Sequence, residues 1–252
     1  MRPDLSSLAD ALADRSLDGY LLDAAGDSAD QLYLSGFDAP DPFITLYTPE
    51  ETALLVSSME FGRAKSEGNA DDVLRWADYD YRARSAEHGR QTARNAVIGD
   101  FLDDFGVASV GVPERFPVWT ADGLRDRDVT VEPDPEGLIG EVRAVKTDRE
   151  VEHVATAQRA NEAAMKAAEE LLADAAVEGG VLQHAGEALT SEQVKQEIEI
   201  TLLRHGCSLD ETIVACGASA ADPHDRGSGP LTAGEPIVVD IFPRDKETKY
   251  HA

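Results

Sequence analysis

Cysteine is nearly missing from this sequence: Cys207 and Cys216 are the only two, and no C-x-x-C spacing exists. Two thiols cannot staple a chain of 252 residues, so a disulfide framework is excluded and a reducing, cytoplasmic location is expected. Neither cysteine has a motif partner for thiol catalysis, and a cysteine inside an apolar strand is commonly inert packing. Lysine is scarce too, with six among 23 basic residues facing 49 acidic ones, for a formal net charge of -26. Such a field repels phosphate backbones and anionic lipid, which makes nucleic acid and membrane surfaces poor partners. The acid is spread over the whole length, and with few lysines and abundant alanine and aspartate it suggests a surface adapted to high salt, hence a halophilic protein. No uncharged apolar run approaches the roughly 20 residues of a membrane span. Met1-Arg2-Pro3-Asp4 leads straight into an aspartate-bearing amphipathic stretch, so no signal-peptide block is expected.

The 42% hydrophobic content can support packed cores in one large domain or two ordinary ones. Leu5, Leu8 and Leu12 recur at helical spacing behind a candidate N-cap, Asp4, and Tyr20-Leu21-Leu22 reads as a strand. Ile44 to Tyr47 and Ala53 to Val56 are β-prone runs around the turn Thr48-Pro49-Glu50-Glu51, which predicts a hairpin. A helix is expected over Ser85 to Phe105, then strands at Ser109 to Val112 and Val129 to Val131, the latter ended by Glu132-Pro133-Asp134-Pro135. This alternation predicts an α/β domain with a mixed sheet.

The pattern changes near residue 140, and a boundary between 1–138 and 139–252 is expected on that change. Thr147-x-x-Glu150 is a capping-box spacing that opens a long helix, expected to run to Val177 and to be stopped by Gly179-Gly180. Its apolar stripe would be Val151, Val154, Ala155, Leu171, Leu172 and Ala175. A second box, Thr190-x-x-Gln193, opens a helix with Val194, Ile198, Leu202 and Leu203 inside and Gly206 at its end. Two strands, Thr212 to Cys216 and Ile237 to Phe242, bracket a loop from Gly217 to Gly234. Its glycines lack the G-x-x-x-x-G-K-[ST] spacing of a phosphate loop.

That loop carries Ala221-Asp222-Pro223-His224, and the strand after it carries Asp240 within Ile237-Val238-Val239-Asp240-Ile241. An aspartate buried in an apolar strand is costly unless its charge is compensated. A metal ion would compensate it, as would Arg244, and exposure to water would remove the cost. A lone loop histidine is most often a surface residue. The segment resembles the catalytic region of the M24 metallopeptidases, the creatinase/aminopeptidase P family, and within it the Xaa-Pro dipeptidase and aminopeptidase branch. The matching residues are Ile213-Val214-Ala215-x-Gly217, His224 and Ile237-Val238-Val239-Asp240. Upstream, Arg143 to Glu150 resembles the R-x-x-K-[ST]-x-x-E entry to the catalytic domain, and Leu189-Thr190-Ser191-Glu192 resembles its G-x-[ST]-E helix start. Leu32 to Phe37 resembles the Y-L-[ST]-G-F stretch of the creatinase-type N-terminal domain.

The resemblance implies an α/β creatinase-type N-terminal domain over 1–138, followed by the first half of an α+β pita-bread catalytic domain over 139–252. It implies hydrolysis of the N-terminal Xaa-Pro bond of short proline-containing peptides, with His224 as a catalytic residue near the substrate and Asp240 as the first metal ligand. Two divalent ions, manganese or cobalt above all, with zinc or iron as alternatives, would activate a bridging water. A homodimer is also implied. The family pattern puts a second aspartate roughly a dozen residues after the first, in a D-x-T-R stretch, and one histidine and two glutamates later still. None of these four falls within the sequence, so a truncated, inactive chain with an open sheet edge is expected. His251 is a weak substitute, and Asp245 and Glu247 read as turn residues. A catalytically dead pita-bread binding module and a creatinase-like C-N hydrolase are the alternatives.

Overall fold

The computed structural model describes residues 3–252. Its contacts separate a unit that ends at Val145 from a second, Lys146–Ala252. The first unit is built on a six-stranded sheet, with strands β1 (Gly19–Ala24), β2 (Phe43–Tyr47), β3 (Thr52–Val56), β4 (Asp72–Arg75), β5 (Ser109–Pro113) and β6 (Thr130–Asp134). The order is β4-β3-β2-β1-β5-β6. β2 runs antiparallel to β1 and β3, and the remaining neighbours are parallel, so the sheet is mixed. Side chains alternate between its faces. Leu21, Ile44, Leu46 and Leu55 enter one core, while Tyr20, Leu22 and Tyr47 enter another and Leu54 and Val56 a third. Burial on both faces explains why β2 and β3 are buried at every position and predominantly apolar.

Among the described residues seven helices pack around this sheet: α1 (Ser6–Asp14), α2 (Ala29–Ser35), α3 (Phe61–Glu67), α4 (Tyr81–His88), α5 (Arg90–Asp104), α6 (Val118–Arg125) and α7 (Leu138–Ala144). Leu8 and Leu12 are the buried side of α1, whose N-cap position is Leu5, while the Asp4 carboxylate accepts the Ser6 N–H at 3.0 Å. The hairpin β2–β3 forms where the sequence placed it, with the Thr48 hydroxyl accepting the Glu51 N–H at 3.1 Å. The single helix expected over 85–105 is two helices. Gly89, at φ +84, breaks the chain between α4 and α5, a conformation that residues with a side chain rarely adopt. β6 runs on through Glu132-Pro133-Asp134, which the sequence reading took as its end; β6 is an edge strand, where proline's missing N–H costs no ladder bond.

The expected boundary at 138/139 falls before α7, whereas the contacts divide after it. Ile139 is buried, and Leu138 and Val142 pack on the same core as Leu8, Leu12 and Tyr20. The backbone N–H groups of Glu136, Gly137 and Leu138 all donate to the Asp134 carboxylate, which also accepts the buried Tyr20 hydroxyl at 3.0 Å. Burial and the neighbouring Asp134 charge push the Tyr20 phenol well above its ordinary range. This anchor ties α7 to the first unit.

The second unit opens with α8 (Asp148–Ala173) and continues through three short strands, β7 (Ala176–Glu178), β8 (Val181–His184) and β9 (Glu187–Ala188), to α9 (Ser191–Arg204), β10 (Cys207–Cys216) and β11 (Ile237–Asp245). Both capping boxes close as spaced. Thr147 accepts the Glu150 N–H while Glu150 accepts the Thr147 N–H, and Thr190 and Gln193 do the same. α8 stops at Ala173, short of Val177, because the chain turns into the β7–β8 hairpin, whose turn is Gly179-Gly180. Its buried line is Ala157, Ala160, Ala164 and Ala168, and Val151, expected inside, is 53% exposed. On α9, Val194, Ile198 and Leu202 are buried but Leu203 faces out. These side chains pack with Cys207, Val214, Leu231 and Ile241 into one core.

Candidate functional site

β10 and β11 are antiparallel and longer than the sequence suggested, with Val214 opposite Val239 and Ile213 opposite Asp240. The period-two alternation puts Val214, Cys216, Ile237, Val239 and Ile241 in the helix-packed core. Residues one step out of phase take the other face. There Val238 and Phe242 are 43% and 49% exposed, and Asp240 between them is exposed as well. The charge that the sequence pattern threatened to bury therefore stands in water. Its carboxylate has no hydrogen-bond or ion-pair partner among the described residues, and Arg244 instead donates to the Lys249 carbonyl at 3.3 Å.

His224 sits in the long connection between the same two strands. A short 3-10 turn, Gly217–Ala221, leaves β10, and the Asp222 carboxylate then accepts the His224 backbone N–H at 3.0 Å. The imidazole is exposed and makes no hydrogen bond with Asp240. Beyond it the loop is tied down densely. The Arg226 carbonyl accepts the Val214 N–H at 3.1 Å, and Arg226 pairs with Glu211. A Cβ on Gly227 would lie 1.8 Å from the Val214 carbonyl oxygen, so only glycine fits where this backbone lies on β10. The Lys195 ammonium donates to the Gly227 carbonyl at 2.8 Å, and Glu192 accepts the Gly229 N–H at 3.1 and 3.2 Å.

A second group of polar side chains escaped the sequence reading. Glu150, besides closing the α8 cap, accepts the Tyr250 hydroxyl at 2.8 Å, and Tyr250 lies 5.5 Å from the His153 ring. Burial alone would raise the Glu150 carboxyl, but hydrogen bonds from Thr147 and Tyr250 hold it below its ordinary value. Asp245 is buried and caps the turn after β11, accepting the Glu247 N–H at 3.0 Å and the Thr248 N–H at 2.6 Å. Burial again opposes, and the Thr248 hydrogen bonds again prevail, so Asp245 is held low. It is a turn residue and is committed to its own backbone. His251 is exposed, and its backbone bridges Arg244. The pairing of Glu150 with Tyr250 spans 100 residues and carried no local signal.

Among the described residues, no three histidine, cysteine, aspartate or glutamate side chains converge as a metal-ligand set. No helix among them is long and apolar enough to cross a membrane. Two family models account for nearly the whole chain: the creatinase/prolidase N-terminal domain matches residues 5–145, and metallopeptidase family M24 matches residues 152–252. The chain belongs to the M24 metallopeptidase family. It is a member with a creatinase-type N-terminal domain followed by part of the catalytic domain.

No curated protein sequence matches this M24 chain. Solved structures share its fold at low identity. The prolidase from Pyrococcus horikoshii OT3 superposes with a TM-score of 0.68 at 19% identity, over 95% of this chain and 60% of that one. The Xaa-Pro dipeptidase from Bacillus anthracis gives 0.69 at 15%, over 95% and 63%. The X-Pro aminopeptidase from Thermotoga maritima MSB8 gives 0.68 at 20%, over 98% and 62%. The M24 chain thus spans less than two thirds of the length of these structures.

Proposed function

We propose that this M24 chain carries the N-terminal domain and the first half of the catalytic domain of a cytoplasmic, metal-dependent peptidase that hydrolyses the N-terminal Xaa-Pro bond of short peptides. Its similarity to a prolidase, an Xaa-Pro dipeptidase and an X-Pro aminopeptidase supports that substrate class. In this reading Asp240 is the first ligand of a pair of divalent ions, manganese or cobalt above all. His224 faces the substrate and donates a hydrogen bond to the charge that develops on the attacked carbonyl. A homodimer is part of the same proposal.

The observation that carries the reading is Asp240 itself, an exposed carboxylate without an internal partner on an open strand face, followed along β11 by Phe242. A carboxylate kept free of arginine and of backbone donors is available to a cation. One carboxylate is not a site for two ions, so in this proposal the remaining ligands lie outside residues 1–252 and this polypeptide alone hydrolyses nothing.

The test is manganese binding by calorimetry. The chain is measured alone and after extension by the C-terminal segment of one of the solved relatives. Binding is expected only in the extended protein, and Asp240→Asn should weaken it there by at least tenfold. Equal manganese affinity in the Asp240→Asn and unsubstituted extended proteins would remove Asp240 from the metal site.

A further inference from the structure

The loop between β10 and β11 is anchored unevenly. Before His224 the chain is held by its own short turn and by Asp222, a contact two residues away. After His224 the loop is held at several points from residue 225 to residue 233, and two of its side-chain anchors come from residues three apart on α9. Lys195 gives its ammonium to the Gly227 carbonyl at 2.8 Å, and Glu192 takes the Gly229 N–H on both carboxylate oxygens. The main chain of the preceding residue continues the same contact, with the Ser191 N–H donating to the Gly229 carbonyl at 2.9 Å.

From this geometry we infer that Glu192 and Lys195 are positioning residues that clamp the loop carrying His224 and so set where its imidazole stands. The inference rests on the reading of His224 as the substrate-facing residue. The clamp grips β10 at Val214, whose backbone meets both Arg226 and Gly227, and Val214 neighbours Ile213, the residue opposite Asp240. One rigid segment therefore ties the histidine to the register that presents the aspartate. Lysine is the rarest cation in this chain, with six in all, and Lys195 is half-buried with its charge on a backbone carbonyl instead of in solvent. The backbone N–H groups of Glu192 itself and of Gly229 hold the Glu192 carboxyl below its ordinary value, as expected for a carboxylate kept charged for this contact.

The clamp is tested by nuclear magnetic resonance on the 15N-labelled chain 1–252, without metal or peptide, so that its failure is separate from failure of the peptidase reading. Glu192→Ala and Lys195→Met should speed amide exchange at Gly229 on the order of tenfold. They should also increase fast motion from Asp222 to Arg226 and shift the His224 ring signals. Amides of α9 and β10 should stay protected. Glu192→Gln, whose amide oxygen still accepts, and Lys195→Arg, which still donates, should restore most of the order. Unchanged exchange and unchanged His224 signals in the Glu192→Ala, Lys195→Met double variant would overturn the inference. Loss of protection spreading through α9 and β10 would overturn it as well, since it would make the two residues general supports of the unit.

Discussion

A single register step decides what Asp240 can do. The apolar run around it suggested burial, but alternation along β11 turns Val239 and Ile241 inward and Asp240 outward. Its charge then costs nothing to keep. Replacing it by asparagine should leave the stability of the chain within about 0.5 kcal/mol in urea unfolding; a larger loss would reveal a structural partner. Glu150 is the opposite case, since it closes the α8 cap and receives the Tyr250 hydroxyl. Glu150→Ala should cost about 1 to 2 kcal/mol in the same measurement. Glu150 and Asp245 both have depressed carboxyl values, so the stability they contribute is present above the ordinary values of 4.5 and 3.8. It is lost as pH falls through the lower folded values, and acid unfolding of Glu150→Gln should show a shallower slope in that range.

At the scale of elements, the strongest local signals were the ones that could be read. Both capping boxes, the β2–β3 hairpin and the strand pair around the His224 loop were legible because each is written in a few adjacent residues. The short elements α2, α3, α6, β4 and β9 offer only about two periods or fewer, and no pattern over so few residues outweighs noise. α8 was legible only in part. Of its expected stripe Leu171, Leu172 and Ala175 pack on the core of the second unit, but the fully buried line is Ala157, Ala160, Ala164 and Ala168. Alanine carries little hydrophobic signal, but it permits close approach of the helix to its neighbours. Ala164→Leu should therefore overpack this contact and destabilise the second unit by about 1 to 3 kcal/mol. Thermal unfolding of that variant checks the assignment, and an unchanged midpoint would show that the face is loose. In the candidate site, His224 and Asp240 are proposed on motif, whereas Glu192, Lys195 and Gly227 make backbone contacts that no spacing rule encodes.

For the whole molecule, the net charge of -26 is a term that no single contact offsets. Self-repulsion on this scale is relieved by counterions, and the Debye length shrinks from about 10 Å at 0.1 M to about 3 Å at 1 M. The melting temperature should rise as sodium chloride increases from 0.1 M to 1 M; a flat or falling midpoint would remove the proposed adaptation to salt. The open face with Val238 and Phe242 is a second molecular property, an apolar surface beside the proposed ligand. Both properties belong to an M24 chain that covers about 60% of the solved prolidase from Pyrococcus horikoshii. The most direct measurement is release of proline from an Xaa-Pro dipeptide with manganese present. The chain 1–252 is predicted to release none alone and to release it when extended by the C-terminal segment of one of the solved relatives, with activity lost on Asp240→Asn. Metal-dependent release by residues 1–252 alone, or full activity of the extended Asp240→Asn protein, would contradict the account.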